Sequence, residues 1–332
     1  MSKYKKAEQE RQTKLIHSKN PIFYGDKGGG IFGRRKNRET REVREMKYDF
    51  VLQKTENNLF EDIQNPAIKY FRENGIKWWS GRVGKPTGHI LSSQVACINH
   101  LFAIRNDKNT VLKMLNKVTK KSFTEVLEID CDENPSYISF EVVSDIDYLK
   151  EETSTRGSNC TSIDALILAK DQNDEIWLIP IEWKYTEHYG NTDKSTEVRK
   201  DKSTGEELNA GKKRLSRYSE LISKSEQLKF KKDDYTSSVY FFEPFYQLMR
   251  QTLWAEQMIK HNKTERLKAV KFLHIHVIPK KNGSLLDKEY KKCSGENMEK
   301  TWRDCLKDQS KYQIVDPKEI VNIIKETVIT KT

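Results

Sequence analysis

The order of apolar patterns along this 332-residue chain predicts an α/β fold with one mixed sheet flanked by helices. Three observations carry that expectation. Before residue 105, apolar residues recur at helical spacing. Between 124 and 185, short apolar runs alternate with polar turns, most clearly in "TSIDALILAKDQNDEIWLIPIEWKY". Two more helical patterns then lead into an apolar strand, "VKFLHIHVIP". The resulting order is helix, three strands, helices, strand.

Residues 1–47 are polar and Gly-rich and read as a flexible basic arm holding at most a short helix. Its Lys/Arg run suits phosphate contact or a solvated tail equally. The main domain spans 48–280. Phe60, Ile63, Ile68 and Phe71 mark its first helical stripe. In "PTGHILSSQVACINHLFAIRND", Ser92 or Ser93 can cap a helix whose Leu91, Val95, Ile98 and Phe102 face a core. His89 and Gln94 lie off that stripe, near the helix start. "TEVLEIDCDENPSYISFEVVSD" reads as strand, turn, strand and carries Glu141. After the hairpin and a polar loop come the helices "KKRLSRYSELISKSEQL" and "FYQLMRQTLWAEQMIKH". A Lys-rich extension, 281–332, ends in a helix with Asp316 as cap and Pro317 at its first position.

The chain carries 60 Lys+Arg against 49 Asp+Glu, a net charge of +11. That excess favours a polyanion, and nucleic acid outranks a membrane surface because no basic amphipathic anchor stands out. No apolar run has bilayer length and the N-terminus lacks a signal-peptide core, so a cytoplasmic protein is expected. Cysteines 97, 131, 160, 293 and 305 form no CxxC pair, which points to reduced thiols. "GRVGKPTGH" and "KGGGIFG" lack the spacing of phosphate or dinucleotide loops. His274 and His276 share a strand face with no third ligand spaced to join them, and read as sheet histidines. Trp78 and Trp79 read as packing rather than a base-stacking platform.

The chemistry concentrates in the hairpin. Side chains alternate along a strand, so Trp177, Ile179, Ile181, Trp183 and Tyr185 share one face, while Leu178, Pro180, Glu182 and Lys184 share the other. Glu182 and Lys184 then project together, about 7 Å apart along the strand. A turn near 172–174 pairs position 164 with position 182 and sets Asp164 opposite Glu182. Two carboxylates beside a lysine at the end of buried strands are costly to hold without a partner. A divalent cation resolves that cost, since Mg²⁺ takes carboxylate, water and phosphate oxygens. Pro180 removes a ladder donor, which suggests a bulge or a sheet edge that would re-aim Glu182.

Asp164 followed by Glu182-Trp183-Lys184 resembles the signature of the PD-(D/E)XK nuclease superfamily, the restriction-endonuclease-like fold. Together with "PTGHILSSQVACINHLF", "NCTSIDALIL", "IPIEWKYTEHYG" and "FYQLMRQTLWAEQM", it is similar to a bacterial group of restriction endonucleases over roughly residues 48–280. The proline of the signature is replaced by Ile163. The resemblance implies an α-β-β-β-α-β core with extra N- and C-terminal helices, and Mg²⁺-dependent cleavage of DNA to 5′-phosphate and 3′-hydroxyl ends, with Mn²⁺ able to substitute. Asp164 and Glu182 would bind the metal with the Trp183 carbonyl, and Lys184 would be the catalytic lysine. Glu141, Gln94 or Gln251 would support them. "YQLMRQ" also offers Gln247 and Arg250, with Gln247 and Gln251 one turn apart. Lys213, Arg214 and Arg217 are candidate DNA-backbone contacts. Expected partners are double-stranded DNA, a second copy of the chain and a cognate DNA methyltransferase. The rival expectations are a structure-specific or repair nuclease of the same fold, a nuclease acting on RNA, and a non-catalytic nucleic-acid-binding protein.

Overall fold

The hairpin sits at the centre of a seven-stranded sheet. The computed structural model describes residues 1–332 except 19, 38, 39, 41, 82, 83, 131, 133, 135, 154, 158, 159, 202, 203, 231–233 and 330–332. In chain order, its first part holds α1 (Lys3–His17), β1 (Gly30–Lys36), β2 (Val43–Tyr48), α2 (Glu61–Glu73), α3 (Ser93–Leu101) and α4 (Lys108–Thr119). The strands β3 (Glu125–Leu127), β4 (Ser139–Val142), β5 (Ile163–Lys170) and β6 (Ile176–Trp183) follow, then the short β7 (Arg199–Lys200) and β8 (Glu207–Leu208). The last part holds α5 (Ala210–Ser223), α6 (Phe245–Lys260), β9 (Lys271–Phe272), β10 (His274–Val277), α7 (Gly283–Leu286), α8 (Met298–Arg303), β11 (Tyr312–Val315) and α9 (Pro317–Ile329).

The sheet runs β11-β10-β6-β5-β3, with β4 also on β5 and β9 also on β6. It is mixed. β5 is antiparallel to β3, β4 and β6, whereas β6 is parallel to β9 and β10, and β10 to β11. β3 and β4 pair with different stretches of β5, so they lie end to end rather than beside each other. The chain is thus a mixed α/β fold with helices on both sides of its central sheet.

Both sheet faces are covered, which is why the central strands read as nearly continuous apolar runs. On one face Leu166, Leu168 and Leu178 pack with Leu248, Met249 and Trp254 of α6. On the other, Ala165, Ile167, Ile179, Ile181 and Trp183 pack with Ile63, Val95, Ile98 and Leu115 of α2, α3 and α4. The expected face alternation therefore holds, with Trp183 in the core. Ser92 caps α3, its side chain accepting from the Val95 N–H at 3.3 Å.

The expected bulge or edge at Pro180 is not there. β6 lies inside the sheet, and its register with β5 runs unbroken through Pro180, which pairs with Leu166. The accommodation is on the other flank. The parallel ladder is interrupted at Leu273, between β9 and β10, where the missing Pro180 N–H would have been received. Pairing resumes beyond it, and the Lys184 N–H reaches the Val277 carbonyl at 2.9 Å. Glu182 keeps the direction that simple alternation assigns.

Residues 1–47, read from sequence as an arm with at most a short helix, hold the 15-residue α1 and the β1–β2 hairpin. Helix α1 is attached: Ile16 is buried, and Tyr185 donates to Glu8 at 2.8 Å while accepting from Gln12 at 3.0 Å. In the Lys-rich extension, β11 joins the central sheet through β10, a strand that composition concealed. Cys97, Cys160, Cys293 and Cys305 are free thiols, and Cys131 lies outside the described residues. Among the described residues no helix is long and apolar enough to cross a membrane.

Candidate active site

Three adjoining strands bring three carboxylates into a row. The β5–β6 register pairs Ala165 with Ile181, and one residue further it sets Asp164 across from Glu182. On the other flank, Phe140 pairs with Ala165 and Val142 with Ile163, which sets Asp164 across from Glu141. Glu141 has a left-handed φ of +51°, a conformation that costs a non-glycine residue about 1–3 kcal/mol. The Arg156 guanidinium holds it there, donating to the Glu141 carbonyl at 3.0 Å and to the buried Asp132 at 2.9 Å.

These residues line one cavity of about 510 Å³, together with Lys184, Gln94, Gln247 and Gln251. Glu182 and Lys184 are buried, and the Lys184 ammonium donates to one Glu182 oxygen. The other Glu182 oxygen accepts from the Gln251 amide. Lys184 also donates to Gln247 Oε1 at 2.6 Å. One turn of α6 thus grips both charged ends of the β6 signature, as the spacing of Gln247 and Gln251 allows. Asp164 Oδ2 accepts the Trp183 N–H at 2.7 Å, which ties the two strand ends together.

Gln94 braces Glu141. Its amide donates to Glu141 Oε1 at 2.6 Å, while its oxygen accepts the Trp79 N–H at 2.8 Å. Ser162 donates to the second Glu141 oxygen at 2.7 Å. Ser162 was not anticipated, although its place two residues before Asp164 puts it on the same strand face. Arg156 had no local signal, because it acts from a loop on a strand distant in sequence.

Other candidates stand apart. Lys213 and Arg217 of α5 pair with Glu152, Arg214 pairs with Glu197, and none of the three lines the cavity. His274 and His276 are buried in β10, with His276 beside Glu182 in the parallel register. Burial pushes His274 down to about 4 and His276 well below its ordinary value, so both are neutral core histidines. Trp78 is buried and stacks on Phe71, whereas Trp79 is 48% exposed at the cavity wall.

The donor set is one of hard oxygens: the Asp164 and Glu182 carboxylates, the Trp183 carbonyl between the signature charges, and Gln251 Oε1, which is buried without a partner among the described residues. That chemistry fits Mg²⁺, which typically takes one or two carboxylates and completes its shell with water and phosphate. Among the described residues no three His, Cys, Asp or Glu side chains are gathered to hold a metal by themselves. The two carboxylates would therefore hold the ion with water and substrate as the remaining ligands.

Burial, then the Glu182 and Glu141 carboxylates, raise the Asp164 carboxyl well above its ordinary value. Burial alone would lower Lys184, but the Glu182 carboxylate outweighs it and holds the lysine well above its usual range. Lys184 is accordingly a cation at neutral pH. Because folded Asp164 binds its proton more tightly than the unfolded chain does, its contribution to stability is fully present below the ordinary carboxylate range. It is lost as pH rises through the folded value. Asp164→Asn, which can still accept the Trp183 N–H, should therefore melt above wild type in EDTA near pH 8, with the gap closing toward pH 4. Wild type equal or superior at pH 8 would refute this account of the carboxylate row.

The family model described as "Restriction Endonuclease associating with ARP" matches residues 10–331. No curated protein and no solved structure matches the chain.

Proposed function

Since the chain belongs to this restriction endonuclease family, we propose that it is a Mg²⁺-dependent DNA endonuclease of the PD-(D/E)XK type, acting in defence against foreign DNA. The observation that carries this reading is the convergence of Asp164, Glu182 and Lys184 from two adjoining strands in one cavity. A mixed central sheet flanked by helices supports this reading, and α3, β4, β5, β6, α6 and β10, taken apart from the α4, β3, β7, β8, α5 and β9 that intervene, are the elements we assign to the α-β-β-β-α-β plan of that superfamily.

Asp164 and Glu182 would hold the ion at the strand ends. Bound there, Mg²⁺ supplies a polarised phosphoryl oxygen and a water of lowered pKa. Lys184 remains charged beside Glu182 and would stabilise the negative charge that grows on the phosphate. Gln247 fixes the lysine and Gln251 fixes Glu182, so neither side chain must reorganise as the reaction proceeds. One such site cuts one strand. Double-strand cleavage then calls for a second copy of the chain or a second visit, and host DNA would need protection, as by a cognate methyltransferase.

The test is incubation of the full chain with unmethylated bacteriophage genomic DNA and with supercoiled plasmid, in Mg²⁺, Mn²⁺ or EDTA. Cleavage in either metal and none in EDTA is expected, with nicked circles preceding linear plasmid if one site acts at a time. Cleavage that persists in EDTA, or intact DNA under every metal condition, would overturn the assignment. Faster cleavage of matched RNA would move the substrate class.

A further inference from the structure

The β1–β2 ribbon starts at the wall of the site cavity. The Phe32 ring lies 4.7 Å from His89 and 5.8 Å from Trp79, both of which line that cavity. The root is packed closely: the Gly30 N–H donates to the Val51 carbonyl at 2.7 Å, and a Cβ on Gly30 would sit 2.3 Å from the Leu52 carbonyl oxygen. Past this root the register shifts between Ile31 and Arg34, where Gly33 takes a φ of +93°. Such a bulge bends and twists a ribbon.

Beyond the bulge the described residues Arg34, Arg35 and 42–45 are exposed, and their charges are poorly explained by the fold. Arg35 and Arg44 sit directly opposite each other. Both are exposed, and neither side chain has an ion-pair or hydrogen-bond partner among the described residues. Like charges at facing positions destabilise a ribbon, and an isolated two-stranded ribbon is marginal to begin with. Lys47 is exposed as well, and Arg34 pairs with Glu45 at 3.3 Å. Six residues of β2 extend about 20 Å. A B-form major groove, about 12 Å wide, admits a two-stranded ribbon.

We propose that the β1–β2 ribbon is a DNA-docking element that enters the major groove of the duplex, with Arg35 and Arg44 as its phosphate or base contacts, and so sets which phosphate reaches the carboxylate row. The proposal rests on the DNA-cleaving reading for its purpose, but its test does not depend on cleavage.

The full chain and the Arg35→Ala/Arg44→Ala variant would be titrated into a fluorescent 30-base-pair duplex in EDTA, across a range of salt. A charge-matched control, Lys69→Ala/Lys300→Ala, removes two exposed cations from α2 and α8. The ribbon variant should lose more than about tenfold in affinity near 0.1 M salt, and its log–log salt slope should fall by about 1.8, the value for two phosphates. The control should keep the wild-type slope, and all three proteins should melt alike. Unchanged binding by the ribbon variant, or an equal loss in the control, overturns the proposal. An equal loss on a matched RNA duplex, whose major groove is too narrow for a ribbon, overturns groove entry. If the chain cuts no DNA yet the ribbon variant alone loses binding, the nuclease reading falls and the ribbon stands. If it cuts DNA and the variant binds normally, the reverse holds.

Discussion

Lys184→Ala should lower Mg²⁺-dependent DNA cleavage by about 10³-fold while leaving duplex binding in EDTA intact. The lysine ammonium is buried, touches Glu182 and Gln247, and is held charged by the Glu182 carboxylate. On the proposed mechanism, its removal deletes the fixed cation that would meet the developing phosphate charge. It also strands a buried carboxylate that keeps Gln251 as its side-chain donor among the described residues, and breaking a buried pair costs about 3–5 kcal/mol. The two effects separate in Lys184→Ala/Glu182→Gln, which should recover much of the melting temperature and none of the activity. Cleavage within tenfold of wild type by correctly folded Lys184→Ala would remove the lysine from the mechanism.

Trp183→Ala should destabilise the protein by about 3–5 kcal/mol, read as a shift of the urea midpoint at unchanged slope. Trp183 is 2% exposed, and its ring centroid lies 4.8 Å from that of His100 on α3. Its backbone N–H is the one received by Asp164. The indole thus anchors the strand end on one sheet face while its neighbours present the signature charges on the other. Loosening that anchor should also slow cleavage at temperatures well below unfolding. Trp183→Phe fills most of the volume and should keep both properties near wild type. A loss below about 1 kcal/mol in Trp183→Ala would mean that the strand end is held from elsewhere.

Much of the candidate site's geometry was legible because a hairpin is local. A turn at a known place sets the pairing of 164 with 182, and period-two alternation then assigns faces without reference to the rest of the fold. Gln247 and Gln251 were legible as a pair on one helix face, and Gln251 as a supporting candidate, although which signature charge each would touch was not. Glu141 was only a candidate. Its approach needs a left-handed backbone that Arg156 maintains across the loop, and nothing in "ISFEVV" signals a positive φ. The outcome at Pro180 turned on its neighbours. The proline was absorbed by a gap between β9 and β10, residues that sequence separation places far away.

From the sequence alone came the α/β class, the central hairpin, the alternation that parts Trp183 from Glu182 and Lys184, and the family resemblance, because each depends on spacing within a few residues or on local motifs. Only the tertiary structure decided that α6 would clamp Lys184 and Glu182, that Gln94 and Ser162 would tether Glu141, that β11 would extend the sheet, and that the basic ribbon would start beside the cavity. Those outcomes depend on contacts between segments tens to hundreds of residues apart. They are fixed by which surfaces bury one another, and local periodicity carries no record of that choice.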